Sequence, residues 1–279
     1  MKLLRVSRPI SWVNTAFPFA AGYLVLGGEI NATLIIGTLF FLIPYNLLMY
    51  GVNDVFDYES DIRNPRKGSI EGAVEAKQFH PTILWASALT TIPFVIALFF
   101  LLPFKSFVTM LVVLFFVVAY SLKGLRFKEI PFLDSLTSSI HFVGPLVVVV
   151  ACFGFPVSVW PVLIAFLLWG MASHAFGAVQ DIIPDREGKL KSIATVIGAR
   201  ATVWVSAASY LASCALVVSQ GGIGIIIGIA GLLYVANLAP DINVNDKTSG
   251  RTNAGWRRFI WVNYIVGTVV TVLLIGQYI

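Results

Sequence analysis

This sequence contains few charged residues. Only 12% of its 279 residues are Asp, Glu, Lys or Arg and 58% are hydrophobic, whereas soluble domains carry roughly 25% charged residues. The mean hydropathy of +0.86 points the same way. This composition excludes an ordinary soluble domain and predicts an integral membrane protein in contact with the lipid bilayer.

Cysteine is also scarce. The two cysteines, Cys152 and Cys214, both lie in apolar stretches, where a free thiol usually behaves as a small buried hydrophobe. We therefore interpret both as packing residues and not as a disulfide or a metal site. Linkers, low-complexity tracts and a cleavable signal peptide are missing as well, so we expect one membrane domain over residues 1–279.

The apolar residues form long runs. Nine of them approach the roughly 20 residues that cross a bilayer as a helix, at 10–28, 33–53, 82–102, 106–121, 133–152, 157–178, 200–219, 222–240 and 259–277. The sequence therefore predicts an all-α, polytopic membrane protein with nine transmembrane helices. The second and sixth runs each end in an acidic motif, and the fourth and eighth in a polar loop, which indicates two four-helix pseudo-repeats plus a ninth helix.

The positive charges are distributed unevenly between the loops. Of the 19 Lys and Arg residues, only Lys105 falls outside the N-terminus and the segments 54–81, 121–132, 181–200 and 241–258. The positive-inside rule then places the N-terminus and these four segments in the cytoplasm. With nine spans the C-terminus lies outside the cell membrane. The basic residues thus indicate orientation, and some of them phosphate binding, but not nucleic acid.

The first acidic motif comprises Asn53, Asp54, Asp57 and Asp61, directly after an apolar run. Charges at the end of a membrane segment are costly and usually functional. Spacings of three and four residues put the three carboxylates on one helix face, where they repel unless a cation lies between them. Mg²⁺ commonly takes one or two carboxylates plus substrate phosphates, so we interpret the three aspartates as catalytic metal ligands.

The second acidic motif comprises Asp181 and Asp185, after the sixth run. Pro184 removes a backbone donor and disfavours helix at Ile183, so we expect the helix to end or kink there. A solvated helix end is the simpler interpretation of this pair alone. Together, the two motifs suggest two walls of one pocket for metal and diphosphate.

Basic residues lie close to both motifs. Candidates for binding the diphosphate, with Asn53, are Arg66 and Lys67 after the first motif, Tyr120, Lys123, Arg126 and Lys128 after the fourth run, and Lys189 after the second motif. Arginine forks and lysine ammonium groups bind phosphate oxygens well. The alternative is that the cations only orient the chain and that Tyr120 is an interface anchor.

A few polar residues lie inside the apolar runs. Asn14, His141 and His174 are candidates for the lining of an acceptor cavity. For these residues and for Asp134, hydrogen bonding between helices is the simpler interpretation.

Taken together, these residues resemble the UbiA superfamily of intramembrane prenyltransferases over the whole chain. The first motif matches its N-D-x-x-D-x-x-x-D signature and the second its D-x-x-x-D signature, and the Tyr120–Lys128 loop and Arg8-Pro9 are also of the family type. The resemblance implies a helical bundle around a central cavity, with Mg²⁺ bridging both motifs and a prenyl diphosphate. Ionisation of the allylic diphosphate then gives a carbocation that an acceptor attacks.

Within the superfamily the chain is most similar to the lycopene elongase branch, through residues 7–15 and 53–68. That resemblance implies dimethylallyl diphosphate as donor, lycopene as acceptor, C50 carotenoid products and a possible association with other carotenoid-pathway proteins. An aromatic acceptor (a quinone or haem precursor) or a lipid acceptor is the alternative, although the segment after the first motif lacks the Arg-Thr-x-x-Arg-Pro pattern of many quinone-forming relatives. A transporter places its charges nearer the midplane, and a scaffold does not explain five clustered carboxylates.

Overall fold

The computed structural model describes residues 1–62 and 74–278, and every regular element in these residues is a helix. Among these described residues, eight helical segments are long and apolar enough to cross a membrane: Ala32–Phe56, Lys77–Leu101, Phe104–Ser121, Leu133–Cys152, Val157–Val179, Ala199–Val218, Ile223–Asp241 and Asp246–Gln277. The predicted all-α, multi-pass architecture is therefore confirmed.

The described residues form two compact units, and the division falls inside one helix. The first unit contains Met1–Phe127 and Ile140–Pro156, and the second contains Lys128–Ser139 and the chain from Val157 onward. The single domain that the sequence predicts stays a prediction.

Outside residues 63–73, the first unit is built from seven helices and most of an eighth. They are α1 (Lys2–Val6), α2 (Val13–Val25), α3 (Ala32–Leu42), α4 (Pro44–Phe56), α5 (Tyr58–Asp61), α6 (His80–Leu101), α7 (Phe104–Ser121) and α8 (Leu133–Cys152), with single 3₁₀ turns at Pro9–Ser11 and Lys77–Phe79. Because α2 has only 13 residues, fewer than the roughly 20 that span a bilayer, the number nine also stays a prediction.

The predicted second run is not one helix but two, α3 and α4, which meet at Ile43 and Pro44. Proline has no backbone N–H, so a helix passing through it loses a hydrogen bond. Asn46 is fully buried and donates to the carbonyls of Phe41 (2.9 Å) and Leu42 (3.0 Å) and to Thr15 Oγ1 (2.7 Å). These bonds satisfy the carbonyls that the break exposes, so the break is stable inside an apolar unit.

Aromatic rings fill the core of the first unit. Phe40, Phe41 and Tyr45 pack edge to face, and Phe19 from α2 lies 5.1 Å from Phe41 between ring centroids. Gly37 lets α3 approach this ring, since a Cβ there would lie 2.2 Å from Phe19 Cζ. The core holds α2, α3 and α4 together, and α4 carries the first acidic motif at its end.

The second unit contains the start of α8 and six further helices. These are α9 (Trp160–Val179), α10 (Ile182–Glu187), α11 (Ile193–Ile197), α12 (Ala199–Val218), α13 (Ile223–Leu238) and α14 (Asn253–Tyr278), with 3₁₀ segments at Phe127–Glu129, Val157–Val159, Ala239–Asp241 and Asp246–Thr252. Tyr210 of α12 is buried and its hydroxyl lies 2.9 Å from Ser173 Oγ of α9. The packing of α9 on α12 fixes the helix that leads into the second acidic motif.

Candidate active site

The first acidic motif lies where α4 ends and α5 follows. Asp54 is in the last turn of α4, Asp57 caps that helix and Asp61 ends α5. The N–H of Asp57 donates to the Asn53 carbonyl (2.9 Å) and that of Asp61 to the Asp57 carbonyl (2.8 Å), so the backbone stays nearly helical. The three aspartates are only 6%, 6% and 8% exposed. All three therefore turn into the protein, as their spacing predicts.

Arg8 compensates the charge of Asp54. Its Nη2 lies 2.7 Å from Asp54 Oδ1, and its guanidinium lies over the Tyr50 ring at 4.1 Å from the centroid. Arg8 has a φ of 49°, a left-handed conformation that non-glycine residues rarely adopt and that costs backbone energy. The ion pair and the cation–π contact hold it in that conformation. Sequence reasoning did not select Arg8 or Tyr50 as site residues, although the Arg8-Pro9 pair carried the signal.

Asp57 contacts groups from two other places in the first unit. Asn53 Nδ2 donates to Asp57 Oδ2 at 2.8 Å and to Ser121 Oγ of α7 at 2.9 Å. Arg126 Nη2 lies 3.9 Å from Asp57 Oδ1, and its Nη1 donates to the Phe56 carbonyl at 3.3 Å. The loop after α7 is thereby joined to the motif. The structure brings Asn53, Asp57 and Arg126 together as the sequence predicts, and it adds Ser121.

The other predicted residues of the first unit are distributed around this site. Tyr120 packs edge to face on His141, with 5.0 Å between ring centroids, and the His141 carbonyl accepts from the Tyr45 hydroxyl at 2.8 Å. Asn14 is half-buried on α2 and Lys123 is exposed in the loop after α7. Arg66 and Lys67 lie outside the described residues.

The second acidic motif follows the end of α9. That helix stops at Val179, and Asp181 occupies the N-cap position of α10 while Asp185 lies in its first turn. The expected interruption is present, but it precedes Pro184, which lies inside α10. Both aspartates are half-buried, and the N–H of Asp185 donates to the Asp181 carbonyl at 2.8 Å.

The segment after the second motif is held by side-chain bonds. Arg186 pairs with Asp246 (2.7 Å) and donates to the Thr195 carbonyl (2.8 Å). Buried Asp134 accepts from the backbone N–H of Ile193 at 2.8 Å, a role that sequence reasoning missed because the partner is a backbone group distant in sequence.

Three further candidates belong to the second unit. His174 Nδ1 lies 3.1 Å from Ser135 Oγ of α8, which fits the interpretation as a bond between helices. Lys189 is exposed, with a φ of 58°, and Lys128 is half-buried in the turn before α8. Their binding roles stay predictions.

The chemistry of the candidate ligand atoms shows whether they suit Mg²⁺. The acidic motifs supply only carboxylate oxygens, the hard ligands that Mg²⁺ prefers. Within residues 1–62 and 74–278, no three His, Cys, Asp or Glu side chains form a group that could hold a metal by themselves. Mg²⁺ usually completes its octahedron with waters and substrate phosphates. These residues therefore fit a Mg²⁺ ion that enters together with a diphosphate.

Comparison with known proteins agrees with the resemblance found in the sequence. The model of the family described as UbiA prenyltransferase matches residues 15–263. The chain is 51% identical to a lycopene elongase/hydratase of Corynebacterium glutamicum, over 98% of this chain and 96% of that one. It is 50% identical to the C(50) beta-cyclic carotenoids biosynthesis protein LbtBC of Dietzia sp., over 96% of this chain and 63% of that one.

Solved structures share the fold at low identity. A UbiA homolog from Archaeoglobus fulgidus bound to DMAPP and Mg²⁺ superposes with a TM-score of 0.69 at 17% identity, covering 95% of this chain and 99% of that one. A UbiA homolog from Aeropyrum pernix gives a TM-score of 0.68 at 19% identity, covering 98% of each chain.

We expect substitution of Asp54, Asp57 or Asp185 by alanine to reduce turnover of a prenyl diphosphate at least about 100-fold, the scale on which losing one electrostatic contact to the transition state acts. Activity is measured in membranes with matched protein amounts. Glu29→Gln, at an exposed carboxylate between α2 and α3, is the matched control. Near-normal turnover in any aspartate variant contradicts its role as a metal ligand.

We expect Arg8→Gln to destabilise the protein by about 2–4 kcal/mol, because it removes the charge that compensates a buried carboxylate. Arg8→Lys should be intermediate, since lysine keeps the charge but lacks the planar fork. Unfolding of the purified protein is followed in detergent with EDTA present. Arg5→Gln is the control, at an exposed arginine of α1. Equal stability of the Arg8→Gln and Arg5→Gln variants refutes the structural role of this ion pair.

Proposed function

The chain belongs to the UbiA prenyltransferase family, and on that premise we propose that it transfers a dimethylallyl group from dimethylallyl diphosphate to the ends of lycopene, in the formation of C50 carotenoids. The observation that carries this proposal is the full-length similarity to a protein named lycopene elongase/hydratase, at 51% identity. The name of the Dietzia relative supports the C50 product class. The solved homolog with DMAPP and Mg²⁺ supports the donor.

Both acidic motifs bind the donor in this proposal. The carboxylates of Asp54, Asp57 and Asp61, and those of Asp181 and Asp185, would hold Mg²⁺ together with the diphosphate. When bound, Mg²⁺ stabilises the negative charge that develops on the departing diphosphate. Asn53 orients Asp57 through the 2.8 Å hydrogen bond. Preorganised contacts of this kind are effective because they need no rearrangement during the reaction.

Basic residues complete the binding of the diphosphate. Arg126 lies beside Asp57, so its guanidinium is a cation within the first acidic motif that can bind a phosphate oxygen. Lys123 is exposed in the same loop and supplies a second cation. Tyr120, Lys128, Lys189, Arg66 and Lys67 are further candidates in the same role.

The reaction breaks the allylic C–O bond, and its electron pair leaves with the diphosphate. The terminal alkene of lycopene then attacks the allylic cation and forms the new C–C bond, which leaves a tertiary cation on the acceptor. Loss of a proton gives an alkene, whereas addition of water followed by loss of a proton gives an alcohol. An apolar site that excludes water until the C–C bond has formed protects the first cation.

The acceptor is bound among the membrane helices in this proposal. Asn14, His141 and His174 are the candidates to line its cavity, and the Tyr120 ring on His141 provides an aromatic face of the kind that stabilises cations.

The location of the enzyme follows from its charge pattern. We place it in the cell membrane with the N-terminus and both acidic motifs on the cytoplasmic side, where the positive-inside rule puts the basic loops. With nine spans its C-terminus lies outside. Association with other proteins of carotenoid synthesis belongs to the same proposal.

We expect Lys123→Ala and Arg126→Ala to raise the KM for the donor about tenfold, because each removes a charge-assisted contact to phosphate. The kcat should change less than the KM. Lys105→Ala, at an exposed lysine of α7, serves as the control. An unchanged donor KM in both variants would mean that the cations of the loop after α7 only orient the chain in the membrane.

Expression in a lycopene-producing bacterium tests the donor and the acceptor together. We expect pigments enlarged by one or two five-carbon units, with or without added water, in liquid chromatography with mass spectrometry. The matched Asp57→Ala strain should accumulate unaltered lycopene. Unaltered lycopene with the unmodified chain, once its membrane expression is verified, excludes lycopene as the acceptor and directs attention to an aromatic or lipid acceptor.

A further inference from the structure

An open groove of about 850 Å³ lies at the start of α12, in the second unit. Its lining includes Gly198, Arg200, Trp204, Asn245, Asp246 and Lys247. None of these residues belongs to the acidic motifs or to the candidates for binding the donor or acceptor. The groove is thus a feature that the proposed reaction does not use.

The groove carries two available cations. Arg200 and Lys247 are exposed, and in the part of the chain that the structure describes neither side chain forms a hydrogen bond or an ion pair. Asp246 is the acidic residue of the lining, and its carboxylate already has partners within the protein. Its carboxylate accepts from the N–H of Ala199 at 2.7 Å and pairs with Arg186 at 2.7 Å. The mouth of the groove therefore attracts an anion.

The groove continues into an apolar stripe along the outer face of α12. Residues spaced three and four apart are exposed there: Ala201, Trp204, Ala208, Leu211, Ala215 and Val218. Such spacing puts them on one face of the helix. Alanines alternate with larger apolar side chains along this stripe. Trp204 is 54% exposed one turn beyond Arg200, the position near a membrane boundary at which tryptophan is favoured.

We propose that this groove binds an anionic phospholipid, with the headgroup phosphate held by Arg200 and Lys247 and an acyl chain lying along the exposed apolar stripe of α12. The charge and polarity of the surface match those of such a lipid, which is an anion joined to an apolar chain. In the proposed orientation this end of α12 faces the cytoplasmic leaflet, where anionic lipids attract basic residues near the membrane.

Two other occupants fit the surface less well. A second copy inserted with the same orientation and packed along this stripe brings its own Arg200 to the same depth, so that like charges face each other. A soluble prenyl diphosphate matches the cations, but it leaves most of an apolar stripe that spans α12 uncovered. A membrane lipid satisfies both parts of the surface.

Lipid retention tests the proposal without any turnover, so a chain that shows no preference for the anionic lipid leaves the donor and acceptor assignments untouched. The full chain is equilibrated with equal amounts of phosphatidylglycerol and phosphatidylcholine that have the same acyl chains, and native mass spectrometry counts the lipids retained. We expect preferential retention of phosphatidylglycerol by a monomer. Arg200→Gln and Lys247→Gln should each lower it about fivefold, the effect of one cation near a membrane surface.

Matched variants separate a site from general surface charge. Arg200→Lys should keep the preference because it keeps the cation. Arg257→Gln should also keep it, since Arg257 is an exposed arginine in the same segment of basic residues but outside the groove. An equal loss in Arg257→Gln, or no preference in the unmodified chain, overturns the site. A lipid-free dimer, or displacement of the lipid by dimethylallyl diphosphate with Mg²⁺, overturns it as well.

Discussion

A carboxylate buried at the end of a membrane helix is stable only if positive charge or hydrogen-bond donors lie beside it. This constraint organises the region around the first acidic motif. Arg8 forms an ion pair with Asp54 of α4, and this pair holds the N-terminal segment against the helix. Arg126 and Asn53 contact Asp57, and the contact with Arg126 holds the loop after α7. In the second unit the pair of Arg186 and Asp246 ties the second motif to the segment before α14.

The proposed function gives the same arrangement a second role, the binding of a diphosphate with its metal ion. In the proposed function the aspartates would hold Mg²⁺, and the arginines beside them would then be available to bind phosphate oxygens. The charges that hold the loops without substrate can then hold the substrate. The acidic motifs themselves lie at helix ends, so the polar groups of the motifs are confined to the ends of the long apolar helices.

The sequence predicts the parts of this arrangement that depend on local spacing. The buried face of Asp54, Asp57 and Asp61 follows from the helical period. An interruption at the second motif was expected from Pro184, but it lies earlier, at Gln180 and Asp181, and Pro184 is part of α10. The break between α3 and α4 at Pro44 was missed because hydropathy remains high across it and Asn46, which stabilises it, looks like an isolated polar residue.

Contacts between distant segments were harder to predict. Arg8 lies 46 residues from Asp54, and Asp134 binds a backbone N–H 59 residues away. No periodicity encodes such pairs, and it was the family resemblance of residues 7–15, with its Arg8-Pro9 pair, that indicated a role for the N-terminal segment. The count of spans is equally sensitive to tertiary structure, because the short helix α2 lies in a run whose length alone predicts a full crossing.

Binding of the donor, measured without turnover, tests the central claim most directly, namely that both acidic motifs hold the diphosphate through Mg²⁺. The affinity of the purified chain for a non-ionising thio analogue of dimethylallyl diphosphate is determined with Mg²⁺ and with EDTA. The account predicts tight binding only with Mg²⁺, and a loss of at least about tenfold in each of Asp57→Asn and Asp185→Asn. Equal affinity in EDTA, or unchanged affinity in either variant, contradicts it.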